Sequence, residues 1–158
     1  MGYLSQPGTG GGAMGTIKTK YGSIVAVTIT LNGLVSAGLA VSNAIDNSAQ
    51  LLLDALVSIT IADVVEAGNK LIEIFAVSSF DGITYSDSQT GNLPALIPIG
   101  ELPVNGTGPW VSPVFSTRNA FLGMLPPYWK YVIRNNAGVT LAGAGNSLSY
   151  IETFNEIV

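Results

Sequence analysis

The chain has 158 residues, of which only 10% are charged against about 25% in ordinary soluble domains, and its formal net charge is −4. It contains neither histidine nor cysteine, which removes the side chains of most nucleophile–base pairs, zinc sites and disulfide frameworks. Its six lysines and arginines are scattered along an acidic chain, so we expect no nucleic acid as a partner. We expect a non-catalytic protein without a cofactor or metal, whose weak self-repulsion favours homo-oligomers.

The first fifteen residues are a glycine-rich segment that we expect to be an arm attached to a single domain over 16–158. Its glycines and Pro7 disfavour both a helix and a central strand. Fully extended, the arm would reach about 50 Å, far enough to contact a neighbouring subunit. The alternative is a leader without a partner. The arm residues predicted to contact a partner are Tyr3, Leu4, Pro7 and Met14.

The stretch 21–45 carries no charge and is long enough to cross a bilayer as a helix. Its first half is rich in β-branched residues, and Asn32-Gly33 then interrupts it. We therefore predict two strands joined by an Asn-Gly turn, and no membrane association. The first residues carry no secretory signal, so we expect synthesis in the cytoplasm.

Beyond Gly15 the apolar residues recur with period two between short turn-forming dipeptides, which is typical of β-strands. Their number and spacing predict an all-β fold, an antiparallel β-sandwich or a barrel. Residues 50–62 are predicted as a strand, for which a short helix over 51–57 is the alternative, and residues 62–67 could form a helical turn. The predicted strands are 16–31, 34–41, 50–62, 70–79, 96–104, 111–116, 129–135, 139–142 and 147–154.

The strand predicted over 129–135 has two chemically distinct faces. Alternation places Trp129, Tyr131 and Ile133 on one face and Lys130 and Arg134 on the other. We therefore expect an aromatic face in the core and a cationic outer face.

Acidic residues offer weak candidates for a site. The loop from Asp81 to Asp87 combines two carboxylates with hydroxyls, as a hard-cation site would, but Ca²⁺ takes six to eight oxygens, and Asp81-Gly82 is a common hairpin turn. Asn105-Gly106-Thr107 matches a glycosylation acceptor, but we interpret it as a turn. A glycosidase would need a carboxylate pair, and the spacing selects none. The carboxylates considered for such a pair are Asp46, Asp54, Asp81, Asp87 and Glu101.

Several aromatic residues between 110 and 131 could line a sugar-binding platform, although core packing is the commoner role at period two. Five prolines between 94 and 113 favour a long excursion with short strands over 93–121, which is a candidate partner surface. In that excursion we predict partner contacts by Trp110 and Phe121. The aromatic residues concerned are Trp110, Phe115, Phe121, Tyr128, Trp129 and Tyr131.

Three segments carry a resemblance to a known family: AIDNS at 44–48 followed by LLLD at 51–54, IEIFAVSSFDG at 72–82, and LPPYWKYVIRNNAG at 125–138. Over about 16–154 the chain resembles small β-sandwich virion proteins of tailed bacteriophages. The resemblance implies an antiparallel β-sandwich of jelly-roll-like type and a capsid cement or decoration role. We expect dimers or trimers on the capsid exterior, bound across junctions of the major capsid protein. The alternative is a tail, collar or fibre module, with carbohydrate at the host surface as a possible ligand.

Overall fold

The structure, a computed structural model, describes residues 16–63, 66–85 and 96–158. The predicted arm, with Tyr3, Leu4, Pro7 and Met14, lies outside the described residues, as does Asp87. The contacts predicted for these residues therefore stay predictions.

Two antiparallel sheets face each other, as predicted for an all-β sandwich, and we name each sheet after its central strand. The β10 sheet has the order β1 (Ile17–Ala26), β10 (Ser147–Ile157), β4 (Asp54–Ile61), with β7 (Trp110–Val111) and β8 (Phe115–Ser116) both paired to β4. The β9 sheet has the order β2 (Leu39–Val41), β9 (Tyr128–Asn136), β5 (Glu66–Ser79), β6 (Ile97–Gly106), with β3 (Ile45–Asp46) also paired to β9. One helical turn, α1 (Thr117–Ala120), follows β8.

The core lies between the sheets and is filled by alternate residues of the central strands. In β9, Trp129, Tyr131 and Ile133 are completely buried, as the sequence predicted, and the Trp129 and Tyr131 rings meet edge to face at 6.4 Å. The buried Tyr131 hydroxyl shares a 2.8 Å hydrogen bond with the Thr117 hydroxyl of α1. A buried hydroxyl needs such a partner, so α1 is fixed to the end of the core. The inward residues of β4 are Ala55, Val57, Ile59 and Ile61.

The prediction of two strands joined by an Asn-Gly turn is wrong, because β1 and β2 lie in different sheets. The chain crosses from one sheet to the other over 27–38, with Val27 and Ile29 packed against the core. The turn at Asn32-Gly33 is present, but Asn32 accepts a hydrogen bond from the Asn146 side chain at the opposite end of the sequence. No helix among the described residues is long and apolar enough to span a membrane.

Two further predicted elements differ from the structure. Residues 139–142 form a loop, because Leu141 is buried and its N–H donates to Leu34 O outside any strand pair. Residues 50–53 are neither strand nor helix, so the alternative helix over 51–57 is also wrong. The Asn47 side chain accepts a hydrogen bond from Leu52 N at 2.7 Å, which holds a turn there until β4 begins. Residues 64–65 lie outside the described residues, and Glu66 already belongs to β5, so no helical turn extends to 67.

The predicted strand 111–116 is divided into β7 and β8 by a short break around Pro113. The Ser112 side chain replaces part of the backbone pairing at this break, since its Oγ accepts a hydrogen bond from Ile59 N at 3.0 Å. After the break, Phe115 packs against the core and covers Gly100 of β6. A Cβ atom at Gly100 would lie 2.5 Å from the Phe115 ring. The packing of this aromatic ring therefore requires a glycine in β6.

We predict that Gly100→Ala lowers the free energy of unfolding by about 1–3 kcal/mol, because the new methyl group overpacks the Phe115 ring. Chemical denaturation monitored by tryptophan fluorescence measures the change. Gly143→Ala is the matched control, since a Cβ there meets nothing within 4 Å and the midpoint is expected to stay unchanged. Equal midpoints for the two variants would contradict the packing argument.

Candidate interaction surface

The outer face of the β10 sheet carries no ionisable side chain over three consecutive cross-strand rows. Strand register places these residues side by side, with Ile24, Ile151, Leu56 and Ser116 forming the longest row. Ile24 is 72% exposed and Val111 is 63% exposed. We call this surface the uncharged face. Its residues are Ile24, Ala26, Leu56, Ser58, Thr60, Val111, Ser116, Ser147, Ser149 and Ile151.

Tyr21 and Asp54 form the next row and bound the uncharged face at one end. The Asp54 carboxylate is already used within the fold, because it accepts hydrogen bonds from Ser116 Oγ at 2.6 Å and from Arg118 N at 2.9 Å. The Asp54 carboxylate therefore joins the start of α1 to β4, and these hydrogen bonds within the chain occupy its oxygens.

The dimensions of the uncharged face follow from sheet geometry. Four strand positions span three spacings of about 4.8 Å, and four rows, counting the one with Tyr21 and Asp54, span three two-residue steps of about 6.7 Å. The face therefore measures roughly 15 by 20 Å, or about 300 Å². A stable protein–protein contact covers about 800 Å² on each partner. A partner on this face must therefore also cover neighbouring exposed residues, such as Tyr21 or Val114.

The outer face of the β9 sheet is chemically different. Arg134 Nη1 lies 3.6 Å from Glu73 Oε2, and the Asn136 side chain donates a hydrogen bond to the same carboxylate. Lys130 Nζ lies 4.2 Å from the centre of the Tyr85 ring, consistent with the predicted cationic outer face. A small apolar cluster of Val77, Leu96 and Val132 covers the middle of this face. The chain therefore covers part of this face with its own residues.

The structure places the aromatic candidates mainly in the core. Trp129 and Tyr131 are completely buried and cannot line a sugar-binding platform. Trp110, Phe115 and Phe121 are half-buried and pack against the same core. Trp110 and Phe121 can therefore offer only part of each ring to a partner, and the contacts predicted for them stay predictions.

The Asp81 loop is organised by hydrogen bonds from its own chain to the carboxylate. Asp81 Oδ1 accepts hydrogen bonds from Thr84 N at 2.7 Å, Ile83 N at 2.8 Å and Ser79 Oγ at 2.9 Å, and Thr84 Oγ1 donates to Oδ2. These donors, led by the Thr84 amide, hold the pKa of Asp81 well below its ordinary value. Donors of the same chain therefore already occupy four hydrogen-bonding positions of the Asp81 carboxylate.

Two further acidic candidates, Asp46 and Glu101, lie on different strands of the β9 sheet. Asp46 Oδ1 accepts hydrogen bonds from Ser48 N at 2.8 Å and Ser48 Oγ at 2.6 Å, which lowers its pKa. Glu101 lies on β6 directly opposite Glu73. No group of three acidic residues within 16–63, 66–85 and 96–158 could hold a metal ion.

A groove of about 520 Å³ lies at one end of the sandwich, between the turn after β3 and the turn after α1. We call it the end groove. The sequence does not predict this groove, because a leucine such as Leu51 ordinarily indicates a core position. Its lining residues are Asn47, Gln50, Leu51, Leu52, Leu53, Arg118, Gly123, Met124, Leu125, Phe154 and Asn155.

No protein-family model, curated protein or solved structure matches the chain.

We predict that Asp81→Asn lowers the melting temperature at pH 7, because an amide offers one acceptor oxygen where the carboxylate offers two. The pKa of Asp81 is lowered on folding, so its ionised form stabilises the fold above the ordinary pKa of about 3.9. This contribution is lost as the pH falls through the folded pKa. The difference in melting temperature between wild type and variant should therefore shrink from pH 7 to pH 2. The exposed Glu101→Gln is the control, and a pH-independent difference would contradict the assignment.

Proposed function

We propose that the chain is a non-catalytic structural protein that binds other protein subunits through its uncharged face. The observation that supports the proposal is the contrast between the two outer faces. The outer face of the β9 sheet carries ionised side chains, among them Glu73, Arg134 and Lys130, whereas the uncharged face offers only aliphatic groups and hydroxyls. A partner can cover this face without removing an ionised group from water, which avoids the main cost of burying polar surface.

The energetics of such a contact follow from the residues in the central row. Ile24, Ile151 and Leu56 supply apolar area, which contributes about 25 cal/mol for each Å² removed from water. Serine and threonine hydroxyls around them can form hydrogen bonds with a partner backbone. Because no ion pair is involved, salt should have little effect on the affinity.

For the biological setting, we propose the capsid cement or decoration role that the resemblance implies. Copies of the chain, as dimers or trimers, would bind across junctions of the major capsid protein on the outside of the virion. Several modest contacts within one oligomer raise retention through effective concentration. An uncharged sheet face suits this role because neighbouring subunits can cover it permanently.

The decisive variant is Ile24→Glu, which places a carboxylate in the central row of the uncharged face. Val35→Glu is the matched control, because Val35 is also an exposed β-branched residue, at 59%, and lies in a turn away from that face. Each purified protein is mixed with tailed-phage particles that lack the chain, and the sedimented fraction is measured at low and high salt. We expect Ile24→Glu to bind at least about tenfold more weakly, equivalent to about 1.4 kcal/mol, and Val35→Glu to bind like the wild type.

Wild-type protein that stays in the supernatant would contradict the virion role. Binding by Ile24→Glu at the wild-type level would contradict the role of the uncharged face. Mass spectrometry of intact particles then counts the copies of the chain in each virion. A number like that of the capsid subunits indicates a place on the shell, and a much smaller number indicates the tail.

A further inference from the structure

The end of β10 has one backbone edge without a neighbouring strand. Thr16 and Val158 exchange two backbone hydrogen bonds of 2.8 and 2.9 Å, so Val158 directs its backbone groups towards β1. Alternate residues of a strand point their backbone groups to opposite sides. Asn155 and Ile157 therefore direct theirs to the side on which β4 lies.

On that side β4 begins too late to pair with the last residues of β10. The register ends at Thr153 opposite Asp54, and the final backbone bond runs from Leu53 N to Thr153 O at 2.8 Å. Within the described part of the chain, no backbone group pairs with Asn155 or Ile157 on this side. The open edge offers their two N–H groups and two C=O groups.

The open edge borders the end groove, because the chain before β4 turns away from the sheet. Asn47 holds this turn in two ways, since its side chain accepts from Leu52 N at 2.7 Å and its N–H donates to Pro127 O at 2.8 Å. The groove of about 520 Å³ lies beside Phe154 and Asn155. A strand added about 4.8 Å from β10 would occupy this space.

One leucine that lines the groove has an unfavourable backbone conformation and an exposed side chain. Leu51 has φ +51° and is 77% exposed. The left-handed region is unfavourable for a residue with a Cβ atom, and glycine or asparagine is common there. Met124, another lining residue, is 78% exposed. An exposed apolar side chain at a strained position points to a ligand that covers it.

Arg118 is the one charged residue among those lining the groove. Its Nε donates a hydrogen bond to Gly123 O at 2.7 Å, which holds the side chain against the turn after α1. No carboxylate within the described ranges forms an ion pair with it. A guanidinium group binds a carboxylate with two parallel hydrogen bonds, so charge complementarity selects an acidic ligand.

We propose that the open edge of β10 and the end groove form a strand-addition site for an extended, acidic segment of a partner protein. The segment would pair with Asn155 and Ile157, place apolar side chains against Leu51 and Met124, and present one carboxylate to Arg118. In this binding mode the backbone bonds supply affinity and the side-chain pockets supply specificity. The site uses none of the residues of the uncharged face, so this proposal does not rest on the proposed function.

The test uses two fluorescent probe peptides in an anisotropy titration of the full chain, acetyl-SVTVEVTS-amide and its lysine counterpart acetyl-SVTVKVTS-amide. We expect the acidic probe to bind at least tenfold more tightly, equivalent to about 1.4 kcal/mol. Arg118→Gln should abolish this preference. N-methylation of alternate peptide bonds of the acidic probe should abolish its binding, because strand pairing needs those N–H groups.

Leu51→Asn separates binding from folding. Asparagine tolerates the left-handed conformation, so the melting temperature should stay the same or rise while the affinity for the acidic probe falls. The matched control is Ile83→Asn, which removes an exposed aliphatic side chain far along the sequence from the groove and should leave the affinity unchanged.

The proposal is overturned if neither probe binds, if the two bind equally, or if Arg118→Gln keeps the preference for the acidic probe. The competing occupant of the groove is the glycine-rich arm of another copy, which a peptide of residues 1–15 represents. This peptide contains no carboxylate side chain, so it offers no acidic partner to Arg118. If that peptide binds as tightly as the acidic probe and Arg118→Gln leaves its binding unchanged, the groove receives the arm of another copy and the proposal is wrong.

Discussion

The burial of alternate residues of β4 and β9 in one shared core is the constraint on which the other surfaces depend. Side chains of a strand alternate between its two faces, so a strand whose inward residues are fixed has its outward residues fixed as well. With Ala55, Val57, Ile59 and Ile61 buried, Leu56, Ser58 and Thr60 must face outward. The uncharged face is therefore a direct consequence of how β4 packs.

The few charges of the chain mostly act within the fold. Asp54 binds the start of α1, Asp81 organises its own loop, and Glu73 pairs with Arg134 across two strands. Each charge has a local partner that reduces the cost of holding it in place. This arrangement explains how a chain with so few ionised residues can leave one broad face without any. It also distinguishes Arg118, which lines the end groove and has no carboxylate partner within the described residues.

Because β10 continues beyond the start of β4, the end of β10 has an open backbone edge beside the end groove. The β1–β10 pair continues beyond the first residue of β4 as a two-stranded ribbon, and every residue from Ile17 to Ile24 is exposed. Isolated two-stranded pairs are marginally stable, and natural edge strands are often protected by lysine. Lys18 and Lys20 lie on β1, whereas β10 has no lysine at its open edge. The unprotected edge is the one that borders the end groove.

The sequence alone determined the all-β class and the inward face of β9, because both depend on a period-two pattern that is local to each strand. Tertiary structure decided which strands pair, and the hairpin predicted at Asn32-Gly33 is wrong because β1 pairs with β10, more than a hundred residues away. The uncharged face exists only through that register, which aligns Ile24, Ile151 and Leu56. The end groove borders the residues of β10 that lie beyond the start of β4, and Leu51 in its lining adopts a left-handed conformation. Leucine carries no local signal for that conformation, so only the packed chain reveals it.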